Sequence, residues 1–312
     1  MSHINFSRRD FLSAAAALTG GSILTIPQEV SAAEPPKRGG GHHFKLSLAA
    51  YSFHRYLPFN LGKPFEGEAK MNLDDFVQFC VDMNLDGTEL TSYYFPYETT
   101  MDDLLHIKEL CFRYGLDISG TAIGNDFCVA DSKAREDQLI YTRKWIDYAA
   151  VMGAPVIRIF AGTIPQGDTE EAARERCVSV IDEAVAYAAT KGVVLALENH
   201  GGITATPEHM LKIITAVKPS PWFGVNFDGG NFKTSDPYAS LEQIAPYTVN
   251  AQLKVEITPE GQATQPADMK RMIGILKQAG YRGYLVLEYE AKEEPREAIP
   301  RHLETIREII AS

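Results

Sequence analysis

A repeated unit is what most constrains the fold of this chain. Eight short β-rich runs alternate with longer stretches that carry apolar residues at three- and four-residue spacing. The runs are KLSLAAYSF (45–53), DGTELTS (86–92), LDISGTAI (116–123), PVIRIFAG (155–162), VVLALEN (193–199), WFGVNFD (222–228), VNAQLKVE (249–256) and YLVLEYE (284–290). Between them, segments such as LDDFVQFCVDM, EEAARERCVSVIDEAVAYAAT and PADMKRMIGILKQ read as amphipathic helices. The glycines in RYGLDI, VMGAPV, TKGVVL and QAGYRG stand where a helix C-cap needs left-handed geometry, so the punctuation is strand, loop, helix, glycine, strand. Eight parallel units of this kind within about 270 residues close most simply into a single (β/α)8 TIM barrel of the α/β class. An open, doubly wound sheet is the rival, but no G-x-G-x-x-G follows the first run.

The repeat begins only at residue 44 of the 312. Ahead of it, SRRDFL precedes the weakly apolar SAAAALTGGSILTI and the small-residue stretch VSAAE, an order that reads as a twin-arginine signal peptide over residues 1–33, cut near Ala32 or Ala33. Residues 34–43 (EPPKRGGGHH) form a flexible leader, and 44–312 the barrel. A periplasmic or otherwise exported protein is expected, with the twin-arginine translocase as its partner. No other stretch approaches the roughly 20 apolar residues of a membrane span.

The net charge of −11 survives processing, because Arg8 and Arg9 are offset by Asp10 and Glu29. An acidic chain without a Lys/Arg stripe is a poor nucleic-acid binder, since phosphate neutralisation supplies most non-specific affinity. The four cysteines, Cys80, Cys111, Cys128 and Cys177, are widely spaced with no CxxC pair, which suits small buried residues and not a zinc knuckle or a disulfide framework.

Barrels carry their chemistry where strands run into loops at the C-terminal face. Here the last four runs deliver Glu198, Asp228, Gln252 and Glu288 there. Converging oxygen ligands repel one another unless a cation sits among them. Three carboxylates and an amide oxygen make a hard site, suited to one divalent ion, Mn²⁺, Mg²⁺ or Co²⁺ ahead of Zn²⁺.

LENHGG, NFDGGNF, AQLKVE and LVLEYE, in that order, resemble the sugar phosphate isomerase/epimerase branch of the xylose isomerase-like TIM barrel superfamily, over roughly residues 44 to 310, with support from DGTELTSYYF and VIRIFAG. The resemblance implies a metal held by Glu198, Asp228, position 252 and Glu288. It also implies that Glu198 and Glu288 act as base and acid across an ene-diolate, moving a proton next to the carbonyl of a ketose. Two positions depart from the pattern: Gln252 stands where the family segment carries a histidine, and Asn231 where epimerases often carry a substrate-binding histidine.

Other residues join this group on position alone. His200 follows the first glutamate closely enough to contact substrate or orient Glu198. Lys254 shares a strand face with Gln252 and is placed to polarise a carbonyl or steady an enolate. Arg158 and Glu89 project from barrel strands, where an unpaired charge is costly, in supporting or substrate-binding roles. His54 and the aromatic cluster SYYFPY (92–97) suit a wall for a sugar ring.

Export and the lack of a Gly-rich phosphate cradle favour a free monosaccharide, cyclitol or oxidised glycoside over a sugar phosphate. The competing readings are a lyase working by β-elimination on 3-keto-glycosides, a nuclease like the apurinic-site endonucleases, and a non-catalytic sugar-binding barrel. The nuclease reading lacks its His-rich ligands and basic face.

Overall fold

The computed structural model describes residues 38–40 and 43–312, so the expected signal peptide and most of the leader lie outside the described residues. The eight runs form the eight strands of a closed parallel barrel: β1 (Lys45–Ala49), β2 (Gly87–Thr91), β3 (Asp117–Ala122), β4 (Val156–Ile159), β5 (Val194–Glu198), β6 (Phe223–Asp228), β7 (Thr248–Leu253) and β8 (Tyr284–Leu287). Each strand pairs with its sequence neighbours, and β1 closes the ring on β8 with Lys45 opposite Tyr284. The strands stop sooner than the apolar runs do. Ala50–Phe53 turns into a short 3₁₀ segment after β1, and Glu256–Ile257 leaves β7 to pair with Gln265–Pro266 in a two-residue antiparallel ribbon.

Among the described residues seven helices return the chain between strands and an eighth follows the last strand: α1 (Leu73–Asp82), α2 (Met101–Tyr114), α3 (Ser132–Met152), α4 (Glu170–Lys191), α5 (Pro207–Ala216), α6 (Pro237–Ile244), α7 (Met269–Gln278) and α8 (Pro295–Ala311). Their ends follow local chemistry. Asn72 and Thr100 open α1 and α2 with capping boxes, each side chain accepting from the backbone N–H three residues on while its own backbone N–H donates to the aspartate there, Asp75 or Asp103. The expected C-cap glycines close α2, α3 and α4 in the left-handed region, at φ of 67°, 84° and 72°. No described helix is long and apolar enough to cross a membrane.

The apolar faces of the helices meet the outward faces of the strands in one continuous core, where Phe76, Phe227, Ile181 and Leu276 are fully buried. All four cysteines are free and buried in it, as their spacing predicted. Inside the ring the strands present polar side chains instead, among them Ser47, Glu89, Ser119, Thr121, Asn226, Asn250 and Gln252, all nearly inaccessible. At the opposite end of the strands from the expected site, Arg38 donates to the carbonyls of Thr248 and Ala279, and Arg282 donates to that of Gly39.

Candidate active site

Alternation along β6 and β7 builds the site in two layers. Residues two apart share a face, so Asn226 and Asp228 point into the barrel together, as do Asn250, Gln252 and Lys254 just past the strand end. The β6 and β7 register sets Asp228 beside Gln252 and Asn226 beside Asn250.

The deeper layer is a closed ring of four side chains. Asn250 donates to Glu89 (3.0 Å) and to Asn226 (2.8 Å), Asn226 donates to the Gln252 carbonyl (2.7 Å), and Gln252 donates back to Glu89 (2.5 Å). All four are buried, and burial together with repulsion from Glu288 pushes the Glu89 carboxyl up to about 7.

The upper layer holds the remaining charges. Glu198 takes Asn231's amide on Oε1 (2.9 Å) and faces Arg158 Nε with Oε2 (2.7 Å). Arg158 is fixed from three more directions. It donates to the Ile123 carbonyl (2.7 Å) and the Tyr93 hydroxyl (3.4 Å), and its guanidinium lies 3.8 Å over the Phe160 ring. Asp228 accepts from the backbone of Gly230 and Asn231 on Oδ1 (2.9 and 3.0 Å), leaving Oδ2 toward Lys254 (3.3 Å). Asn199 exchanges two hydrogen bonds with the Asp228 backbone (2.9 and 3.0 Å), continuing the β5–β6 ladder with a side chain and pinning both acids at one height. Glu198 Oε2 and Asp228 Oδ2 each face a cation but have no aligned hydrogen bond.

Lys254 lies at the centre. Its ammonium is 2.5 Å from Glu288, 3.0 Å from Glu290 and 3.3 Å from Asp228. Burial works against that charge, but Asp228, Glu288, Glu290 and Glu198 override it and hold the lysine well above its ordinary pKa. Burial raises Asp228 to about 7 against the pull of Lys254, and raises Glu198 despite Arg158.

The structure therefore brings Glu198, Asp228, Glu288, Lys254, Arg158 and Asn231 together and sets the other candidates apart. Glu89 and Gln252 are spent in the deeper ring, which places Glu89 below the height where a substrate would sit. His200 packs against the Phe160 ring at the rim, centroids 4.1 Å apart and planes tilted by 36°. Desolvation, then Arg158 and Lys254, push its imidazole down to about 4, so it is neutral at pH 7. His54 is at the rim, donating through Nδ1 to the Tyr51 carbonyl (3.0 Å) and stacked on the Tyr51 ring (5.2 Å). Of the aromatic cluster, Tyr93, Tyr94 and Phe95 are packed inside and Tyr97 stands exposed. Sequence reasoning passed over Asn226, Asn250, Asn199, Glu290 and Tyr51. The two-residue spacing of the first two from Asp228 and Gln252 was the signal available.

The expected metal set does not fit this arrangement. Gln252's carbonyl is taken by Asn226, and freeing it would orphan a buried amide at about 1–3 kcal/mol. Lys254 already contacts Asp228 and Glu288, and among the described residues no three carboxylate, imidazole or thiolate groups form a metal-holding set. What the site offers instead is paired carboxylates beside two fixed cations. A cleft of about 280 Å³ adjoins them, lined by Asn231, Lys233, Lys254, Glu256, Thr258 and Glu290 among others.

A family model described as xylose isomerase-like TIM barrel matches residues 75–309. No curated protein matches the sequence. Among solved structures, a D-tagatose 3-epimerase-like protein superposes with a TM-score of 0.66 at 17% identity, over 85% of this chain and 99% of that one. A 3-keto-D-glucoside 4-epimerase from E. coli gives 0.65 at 15% identity, over 86% and 99%. A probable 3-DHS dehydratase from Bacillus anthracis gives 0.59 at 17% identity, over 86% and 99%. At these identities the likeness is one of fold.

Proposed function

The chain belongs to the xylose isomerase-like TIM barrel family, and we propose that it is a sugar isomerase or epimerase that moves a proton next to the carbonyl of a keto-sugar. The observation that carries this reading is the pair of buried carboxylate oxygens, Glu198 Oε2 and Asp228 Oδ2, without aligned hydrogen bonds, beside Arg158 and Lys254 at the strands' C-terminal mouth. Oxygens so placed take substrate hydroxyls or protons, and in a dry site they act far more strongly than in water.

In the proposed reaction one of Glu198 and Glu288 removes the proton from the carbon next to the carbonyl. The electron pair moves onto the carbonyl oxygen as an ene-diolate, and the other glutamate returns a proton to carbon. Arg158 positions Glu198, and Asn231, bonded to the same carboxylate, is placed to read a neighbouring hydroxyl. Because the Gln252 carbonyl is engaged and Lys254 stands among the acids, this reading uses no step through a divalent ion. A phosphorylated sugar fits poorly, since Glu198, Asp228, Glu288 and Glu290 face the mouth and outnumber the cations. A free or glycosidic keto-sugar agrees with the proposed export by the twin-arginine route to the periplasm.

The test is deuterium uptake from heavy water into a panel of ketoses and 3-keto-glycosides, followed by mass spectrometry, with Glu198→Gln and Glu288→Gln alongside. Exchange at the carbon next to the carbonyl is expected in the wild type, with product formation falling roughly 10²- to 10⁴-fold in each variant. Release of the aglycone in place of exchange would make the enzyme a lyase, and binding without either would make it a carbohydrate-binding barrel.

A further inference from the structure

We propose that the ammonium of Lys254 is the resident cation of this site, a tethered positive charge standing where the strand-end acids led us to expect a divalent metal. Three observations carry it. The first is contact: one nitrogen lies within 2.5 to 3.3 Å of carboxylates from Asp228, Glu288 and Glu290. Glu288 accepts a hydrogen bond from the ammonium, and Asp228 and Glu290 face it as ion-pair partners, so the charge is met from three sides.

The second is that the backbone is shaped for this side chain. Lys254 follows the last residue of β7, and its stem runs over Gly230. A Cβ there would stand 2.7 Å from the lysine Cγ and 2.8 Å from its Cβ. The turn after Asp228 is thus hollowed to the width of the lysine stem, and the Asp228 Oδ1 bonds to Gly230 and Asn231 hold that turn in place. The third is that the departure at position 252 and the lysine belong to one design. Gln252 gives its carbonyl to Asn226 and its amide to Glu89, so the residue expected to complete a metal shell is locked into the layer below.

A divalent ion bound by Asp228 and Glu288 would have to displace the ammonium or sit against it, so the two cations exclude each other. Resting on the proton-transfer reading, the role follows: as a glutamate takes the proton from carbon and charge builds on the carbonyl oxygen, Lys254 donates a hydrogen bond to that oxygen. It recovers its contact with Glu288 when the proton returns to carbon. No redox partner or co-reactant is needed.

The experiment is metal binding to the purified full chain, independent of any substrate. After dialysis against EDTA, wild-type protein and Lys254→Met are titrated with Mn²⁺, Mg²⁺, Co²⁺ and Zn²⁺ by calorimetry, with elemental analysis and melting temperature read in parallel. The wild type should hold no stoichiometric metal and its melting temperature should not respond. Lys254→Met, relieved of the opposing charge, should bind one equivalent on the order of 100-fold more tightly than wild type and melt higher with metal present. Lys254→Arg, which keeps the charge and guards against a folding failure of the methionine variant, should stay metal-free. Stoichiometric binding by the wild type, or by Lys254→Arg, overturns the proposal, as does a folded Lys254→Met that gains no binding. Failure of the isomerase reading would show separately, as absent deuterium exchange with these binding results unchanged.

Discussion

Replacing Gln252 with leucine cuts the buried ring at two points while roughly preserving side-chain volume. The Asn226 amide loses the acceptor 2.7 Å away and Glu89 loses a donor at 2.5 Å, and no water reaches either, since all the ring residues are buried. An orphaned neutral donor costs about 1–3 kcal/mol and an under-solvated carboxylate more, so the sum at pH 8 is about 3–6 kcal/mol. At roughly 2 °C per kcal/mol for a domain of this size, the melting temperature should fall by about 6–12 °C.

The pH dependence separates this account from mere loss of packing. Glu89 stands at about 7 in the folded protein against 4.5 unfolded, mainly through burial. A carboxyl raised on folding is neutral in the native state between those values and stabilises less as pH rises through the window, becoming a buried charge above 7. The Gln252 bond matters most when Glu89 is charged. Calorimetry of wild type and variant at pH 8 and pH 5.5 should therefore show a larger difference at pH 8, while other titrating groups cancel in the comparison. An equal loss at both pH values, or a loss under about 2 °C, would refute the ring as an electrostatic brace.

Three further outcomes follow from the same geometry. Arg158→Met removes the cation 2.7 Å from Glu198 and raises that carboxyl further, so the acidic limb of the exchange rate against pH should move to higher pH; an unmoved limb would show that Glu198 is not the titrating base. Gly230→Ala places a methyl 2.7 Å from the Lys254 stem and 2.8 Å from the Glu256 carbonyl, and should cost about 1–3 kcal/mol of stability and more than about tenfold in turnover, read by urea unfolding and deuterium exchange. Arg8→Lys with Arg9→Lys should leave unprocessed precursor in the cytoplasm, seen by fractionation and immunoblot; normal export of the double variant would remove the twin-arginine proposal.

Strand existence was legible because a buried parallel strand must be short, apolar and bounded by turn residues, and all eight runs satisfied that. Their ends were less so: the apolar run through Phe53 continues past β1 as a 3₁₀ turn, since apolar residues also serve a buried loop. At the site, parity along each strand placed Glu198, Asp228, Gln252 and Lys254 inward. Depth was another matter. Whether Gln252 meets the mouth or the layer beneath depends on the stagger between β6 and β7, which slips between Val225 and Asn226, and on which distant strand brings Glu89 across the lumen. Those are properties of the closed barrel, and no single run encodes them. For the same reason Lys254 read as an accessory: its carboxylate partners come from two other strand ends, Asp228 from β6 and Glu288 and Glu290 from the segment after β8.

The seam between β1 and β8 joins residues 239 positions apart. Until the last strand is made, β1 and β7 each keep an unpaired edge, a template for mispairing with other chains, and the half-built site has Lys254 without Glu288. Closure is a late event with the loop-entropy cost of a long-range contact, so the barrel should assemble slowly and largely after synthesis. Under the twin-arginine export proposed above, the seam would work as a clock: the interval before β8 docks would set how long the precursor must wait, shielded from aggregation, before it could leave.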